Sequence, residues 1–409
     1  MTATVDSASK TRHRSASKVE LTWPSKQASS ATSASRPKAP TNTFSVEFEQ
    51  LIGAGADSML IHGDAADALR QLARENADQK PPSAKFQLCY IDPPFNTGES
   101  FAHYRDKKDR HIWLEELREH LILAKALLAD TGSLWLHIDD REQHRARCIL
   151  DEVFGEEAFV ATIIWQKRLT RDSRRAFSSM HDYIHVYAPA GPKAWKHVRN
   201  GLPDQGAFSN PDDDPKGPWR SVPMNVQAGH ATAAQFYTVT TPTGARHDPP
   251  PGRCWTYTQK RLRELDLQGR VYWPRGGDGK PRLKRYQHES RGLSPFTIWT
   301  AEEVGDSGGA KKALMAECAS AITFDTPKPL RLLERIIEIS TNPGERVLDF
   351  YLGSGTTAIA ASKLGRHWVG VEQSERTLTD FAIPRLLATP QNGTSVTLAK
   401  IINHPMHTS

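Results

Sequence analysis

Nowhere does the sequence run to about eighteen consecutive apolar residues, so no segment qualifies as a membrane-spanning helix. The N-terminus lacks the apolar stretch of a secretory signal. Cysteine is scarce: Cys89, Cys148, Cys254 and Cys318 are the four, and no two stand at a Cys-x-x-Cys spacing. Neither a zinc site nor a disulfide framework is therefore expected, and the expected compartment is a reducing cytoplasm. No internal repeat is evident. What is present is a 409-residue chain with 38% hydrophobic residues, enough for a core within one large domain or two ordinary ones.

A net positive charge is also missing from most of the chain, although the whole carries +6. Residues 1–43 hold seven Lys/Arg against two acids, and residues 165–300 hold 22 against 11, so the remainder is acidic. A basic block beside an acidic body fits a nucleic-acid binder with a separate scaffold, and equally a solvated Arg-rich surface.

Residues 1–43 are rich in Ser, Ala, Thr, Lys and Arg and read as a disordered basic tail, with a short ordered patch at Leu21-Thr22-Trp23. From Met59 the pattern becomes α/β. Strands are expected at 59–61, 86–91, 133–138, 159–165, 183–188, 346–350 and 368–371, and helices at 65–72, 111–128, 141–153, 329–340 and 356–364. Residues 189–300 break this rhythm with Pro, Gly, Arg and Trp, as an inserted irregular domain would. The expected fold is a doubly wound α/β sheet of the Rossmann-like type.

Two motifs carry chemistry. Residues 348–358 take an apolar strand through Asp349 into Tyr351-Leu352-Gly353-Ser354-Gly355-Thr356, where a helix begins. The glycines allow a tight turn and close backbone approach to a ligand. Glu372 ends the next strand, where a carboxylate can accept both hydroxyls of a ribose. This motif indicates a nucleoside-containing cofactor without saying which one. The second motif is Asp92-Pro93-Pro94-Phe95-Asn96, directly after a buried strand. The N6 lone pair of adenine is conjugated into the ring and nucleophilically poor. A carboxylate (Asp92) and a fixed carbonyl (Pro93) can each accept one N6–H and favour a tetrahedral amine. Two prolines fix φ and leave no competing N–H, and Phe95 can stack on a base taken out of the helix. Cys89, just before this motif, reads as core rather than nucleophile.

With both motifs in hand, the chain resembles the β-class amino-DNA methyltransferases, in which a DPPY-type motif precedes an FxGxG motif. It looks especially like the modification subunits of type III restriction–modification systems and their stand-alone relatives. The resemblance rests on residues 59–64, 90–98 (YIDPPFNTG), 132–140 (GSLWLHIDD), 159–168 (FVATIIWQKR), 181–188 (HDYIHVYA), 213–221, 281–285, 324–332 (FDTPKPLRL) and 347–357 (VLDFYLGSGTT). It implies S-adenosyl-L-methionine as cofactor and a circularly permuted motif order. It further implies that Asp92, Pro93, Pro94 and Phe95 form the catalytic turn. Asp349, Tyr351, Gly353, Ser354, Gly355 and Thr356 belong to the cofactor turn. Glu372 binds the ribose, Asp64 lies near the cofactor adenine, and Lys328 and Pro329 open a helix closing that pocket. The implied division is a tail over 1–43, a catalytic part over 44–188, a target-recognition domain over 189–300 and a cofactor-binding part over 301–409.

The implied partners are double-stranded DNA, a restriction endonuclease subunit and a second copy in a homodimer. Family members run longer at the C-terminus, which weighs against the last two. The sequence departs from the family in Phe95 for Tyr and Tyr351 for Phe. Arg168, Arg171, Arg174 and Arg175 are expected on one loop beside the active face, as phosphate contacts or as a solvated loop. Six of ten tryptophans fall in the basic block and are expected mainly as local core. The reading is therefore N6-adenine methylation of DNA. Three alternatives stay open: N4-cytosine methylation on the same turn, methylation of RNA or of a protein amide, and a non-catalytic DNA-binding scaffold.

Overall fold

A computed structural model describes residues 21–23, 26, 44–53, 57–78, 85–95, 108–174, 176–204, 206–290, 292–318, 324, 326–389 and 395–403. The expected tail lies outside these apart from residues 21–23 and 26, as do Asn96 and Arg175. The chain forms two compact units, residues 1–200 with 296–409, and residues 201–295. The irregular segment expected over 189–300 begins with a helix, Gly191–Val198, that belongs to the first unit.

The first unit is built on one ten-stranded sheet. Its strands in chain order are β1 (Phe44–Ile52), β2 (Ser58–His62), β3 (Phe86–Ile91), β4 (Leu128–Ile138), β5 (Phe159–Gln166), β6 (His181–Tyr187), β7 (Ile298–Trp299), β8 (Arg346–Asp349), β9 (His367–Glu372) and β10 (Val396–Asn403). Their spatial order is β1-β10-β2-β9-β8-β3-β4-β6-β5-β7. The centre is parallel: β8 pairs with β9 and with β3, and β3 with β4. Strands β3 and β8 are near-continuous apolar runs because helices cover both faces. Antiparallel partners sit toward the edges, β1 on β10 and β6 between β4 and β5. β1 and β10 were not among the expected strands; β1 alternates charged with apolar residues and lacks the buried run used to find the others.

Helix α1 (Ala65–Asp78) follows β2, α2 (Arg110–Leu127) follows the Asp92 turn, and α3 (Gln143–Phe154) follows β4. Their apolar faces, including Leu69, Leu117, Leu121, Ile149 and Leu150, close one core over the sheet. Helix α4 (Leu330–Ser340) buries Leu332, Leu333, Ile336 and Ile337 at three- and four-residue spacing, and Pro329 is its N-cap. Helix α5 (Thr356–Lys363) begins at Gly355. No described helix is long and apolar enough to cross a membrane.

Trp23 and Lys26 are buried against this unit. Lys26 Nζ donates to Glu152 Oε2 of α3 and to the Leu21 carbonyl, and it lies 4.9 Å over the Trp23 ring. A charged hydrogen bond of this kind contributes about 1.5–3 kcal/mol. Lys26→Ala is expected to lower the midpoint of thermal unfolding by several degrees; an unchanged midpoint would show that this segment adds nothing to the fold.

The second unit holds short antiparallel ladders and one helix, Gln259–Leu267, around Met224, Val239, Trp255, Leu262, Leu265 and Val271. Of the six tryptophans in the basic block, Trp219 and Trp255 are buried in this unit, as expected of its local core, whereas the buried Trp165, Trp195 and Trp299 belong to the first unit. Lys284 bridges Asp212 and Asp214 there.

Candidate functional site

Strands β8 and β3 lie side by side. The chain leaves β8 toward β9 and leaves β3 toward β4, in opposite directions. In doubly wound sheets a ligand crevice opens beyond the strand ends at such a divergence. Here that place is a cavity of about 790 Å³ lined by both sequence motifs.

On the β3 side, Asp92 follows the strand directly. Its Oδ2 accepts from Lys328 Nζ. Its Oδ1 is buried with no hydrogen-bond partner among the described residues. A buried carboxylate oxygen left unpaired costs free energy unless a ligand supplies a donor. The prolines hold the turn, and the Trp113 indole N–H of α2 donates to the Pro94 carbonyl at 2.7 Å, which fixes it further. Phe95 does not line the cavity: it stacks on His137 (centroids 6.1 Å, planes 22° apart), with Lys328 Nζ 5.3 Å from its ring.

His137 is fully buried. Its Nδ1 is paired with the Tyr90 hydroxyl at 2.9 Å, and Nε2 stands 3.5 Å from Asp182 Oδ2, a long contact rather than a hydrogen bond. Asp182 Oδ1 in turn accepts from Lys167 Nζ at 2.6 Å. Burial, reinforced by the Lys328 charge, lowers the His137 pKa. Burial works against the Asp182 charge, but His137 and Lys167 outweigh it and hold that carboxyl below its ordinary range. Cys89 is buried, and burial raises its thiol well above the usual value, as a core cysteine requires.

On the β8 side, Gly353 (φ +54°) and Gly355 (φ +84°) occupy backbone that side-chain-bearing residues rarely adopt. A Cβ on Gly353 would also press on Phe324 at 3.2 Å. Glu372, at the end of β9, clasps this turn: Oε2 accepts from the Gly353 N–H at 2.9 Å and Oε1 from the Ser374 N–H at 2.8 Å. Burial raises its pKa, partly offset by these bonds. Asp349 accepts from the Tyr351 N–H, and burial pushes its carboxyl up to about 7. Asp64 caps α1 by accepting from the Ala66 and Asp67 N–H groups, and it faces the same cavity.

Of the residues singled out from the sequence, Asp64, Asp92, Pro93, Pro94, Lys328, Asp349, Tyr351, Gly353, Ser354, Thr356 and Glu372 line the cavity, and Phe95, Pro329 and Gly355 do not. Arg168, Arg171 and Arg174 lie exposed on the loop between β5 and β6, where Arg174 pairs with Asp172. Other contributors had no role assigned from the sequence. His120 Nδ1 pairs with the Tyr351 hydroxyl at 2.7 Å, so the tyrosine that replaces the family's phenylalanine is tied to α2. Trp113 and His120 stand seven residues apart on one helical face, a spacing that could have marked them. Arg385 Nη1 donates to the Ser354 carbonyl at 2.6 Å and braces the glycine turn; no local pattern points to it.

The glycine turn, the carboxylates and the volume suit a nucleoside cofactor, and the unpaired Asp92 oxygen suits an amino-group donor beside it. A family model described as a DNA methylase, N6_N4_Mtase, matches residues 86–382. The type III restriction-modification enzyme StyLTI Mod subunit of Salmonella typhimurium is 31% identical over 339 residues, covering 75% of this chain and 50% of that protein. The type II methyltransferase M.EcaI of Enterobacter cloacae is 30% identical over 316 residues, covering 74% of this chain and 66% of that protein. The chain thus spans from half to two thirds of the length of these relatives.

Proposed function

Since the chain belongs to the N6_N4_Mtase family of DNA methylases, we propose that it transfers the methyl group of S-adenosyl-L-methionine to N6 of adenine in double-stranded DNA. The observation that carries this reading is the buried Oδ1 of Asp92, without a partner among the described residues, on a cavity shared with the glycine turn and Glu372. The cofactor, when bound, supplies an electrophilic methyl on a sulfonium.

The chain's residues do the rest. Glu372 and the backbone of the glycine turn hold the ribose and methionine parts, and Asp64 lies by the adenine. Asp92 Oδ1 accepts one N6–H and the Pro93 carbonyl the other, which turns the nitrogen lone pair toward the methyl donor. Asp92 is then placed to take the proton that the methylated amine releases. Lys328 occupies the second Asp92 oxygen, so a single oxygen faces the substrate. Phe95, backed by His137, offers a ring at the mouth of the turn rather than inside the cavity. The second unit is assigned target recognition. Free thiols fit a cytoplasmic setting, and a restriction subunit is the proposed protein partner.

Transfer of labelled methyl to mixed-sequence duplex DNA, followed by nucleoside mass analysis, tests the reading. Label in N6-methyladenine supports it. Label in N4-methylcytosine would keep the family and overturn adenine as the base acted on. No label in either base would overturn the reading as a whole.

Asp349 adds a proton-linked expectation. Its folded pKa, about 7, exceeds its ordinary value of 3.8. The folded state is then the stronger proton binder, so this group's contribution to stability is full below about pH 4 and is lost as pH rises through 7. A cationic cofactor favours the ionised carboxylate, so binding near pH 7 is expected to release a proton. Titration calorimetry in two buffers of different ionisation enthalpy reads that release. Asp349→Asn should abolish the buffer difference, and a wild-type protein showing none would contradict the assignment.

A further inference from the structure

Strands β5 and β6 are antiparallel neighbours, and a short turn would join them. Residues 167–180 join them instead. This loop leaves from the same end of the sheet as the Asp92 turn, because β5 runs with β3 and β4 and β6 runs against them.

The loop is built rather than slack. At its base, the Lys167 N–H donates to the Met180 carbonyl at 2.9 Å, and the Ser307 N–H donates to the Lys167 carbonyl at 2.9 Å. At its tip, the Asp172 N–H donates to Ser178 Oγ at 2.7 Å, Ser178 Oγ donates back to the Asp172 carbonyl at 3.2 Å, and Arg174 closes on the Asp172 carboxylate. This bracing holds Phe177 out in water at 91% exposure, the highest of any large apolar side chain among the described residues. Leu169, at 67%, is exposed on the same loop. Two large apolar side chains, Phe177 and Leu169, are thus held in solvent on one braced loop, an exposure that contact with a partner would relieve.

The surroundings indicate what the contact is. Arg168, Arg171 and Arg174 are exposed on the same loop, and Asp172, which Arg174 pairs, is its one acid. A cationic rim around an apolar tip matches a polyanion with a stacked apolar interior. The base of the loop is joined to the catalytic turn through Lys167, Asp182 and His137, against which Phe95 stacks.

We propose that Phe177 is the side chain that enters the duplex and fills the space vacated by the extruded target base, with Arg168 and Arg171 on the flanking phosphates. Apolar wedges between base steps and extrusion of the reacting base are general solutions to this problem. The inference rests on the proposed DNA methylation and goes beyond it by naming the residue that opens the helix.

The modified site is first read by modification-sensitive sequencing of plasmid DNA propagated with the full chain. Two duplexes containing that site are then compared, one with the target adenine paired to thymine and one with it opposite an abasic position. Phe177→Ala is expected to slow transfer at least about tenfold on the paired duplex, the factor that about 1.4 kcal/mol represents. The abasic duplex should restore most of that loss, since no partner base then holds the adenine in. Phe177→Trp should track the wild type on both. Equal rates for Phe177→Ala and wild type on the paired duplex would overturn the proposal, as would an equal loss on both duplexes. Should the wild type methylate neither duplex, the parent reading fails and this one with it.

Discussion

Asp92→Asn is expected to slow methyl transfer by about 10²–10⁴-fold, the range for loss of a positioned proton acceptor, while cofactor affinity stays within about threefold. The substitution keeps the size of the side chain and changes what each end can do. Lys328 Nζ donates and does not accept, so the asparagine carbonyl must turn toward it. The amide NH₂ is then left at the position of Oδ1, facing the cavity. A donor there meets the N6–H donors of the substrate, and the acceptor that orients the nitrogen is gone. Asp92→Ala is a less clean change. It strands the Lys328 ammonium, whose side chain is 9% exposed, and breaking a buried pair by removing one partner destabilises by about 3–5 kcal/mol. Single-turnover transfer alongside equilibrium cofactor binding separates the effects. An Asp92→Asn protein within tenfold of the wild-type rate would remove Asp92 from the mechanism.

Glu372→Gln is expected to weaken S-adenosyl-L-methionine binding by about 10–100-fold, from the 1.5–3 kcal/mol that a hydrogen bond to a charged group contributes. The carboxylate accepts from two backbone donors, the N–H groups of Gly353 and Ser374. A glutamine has one acceptor oxygen and one NH₂, so one backbone donor must then face another donor. The glycine turn loses a tether, and in the proposed cofactor pose the ribose loses its charged acceptor in the same change. The Asp92 side should be untouched, so the rate at saturating cofactor is expected to recover. Titration calorimetry reads the affinity; a change of less than twofold would mean that the turn holds its shape without Glu372 and that the ribose is bound elsewhere.

The two turns that line the cavity were legible because each is a short contiguous pattern. Asp92-Pro93-Pro94 follows an apolar run, and Gly353-Ser354-Gly355 sits between an apolar run and a helix. What escaped was of two kinds. Bracing across the fold leaves no local trace: Arg385 reaches the glycine turn from 31 residues away, and Lys328 reaches Asp92 from 236 residues away. The sequence placed Lys328 at a helix start near the cofactor, but only the fold shows its ammonium on Asp92. The two strands at one side of the sheet were the second kind. β1, at the edge, carries Glu47 and Glu49, and Lys400 interrupts β10, which lies between β1 and β2, so neither has the uninterrupted apolar run that identifies a central strand. Phe95 is intermediate. Its place beside the Asp-Pro-Pro turn was plain, but its stacking on His137 depended on the neighbouring strand β4.

The pairing of β3 with β8 has a consequence for how the protein is made. Leu88 and Cys89 find their partners in Val347 and Leu348, about 260 residues later in the chain. Until that later segment has been synthesised, one side of the strand carrying Asp92 lacks its neighbour, and the two turns of the cavity have no common frame. Contacts so distant in sequence close slowly, and an unpaired strand edge is open to the wrong partner meanwhile. The acceptor side and the cofactor side should therefore become competent together, in one late step.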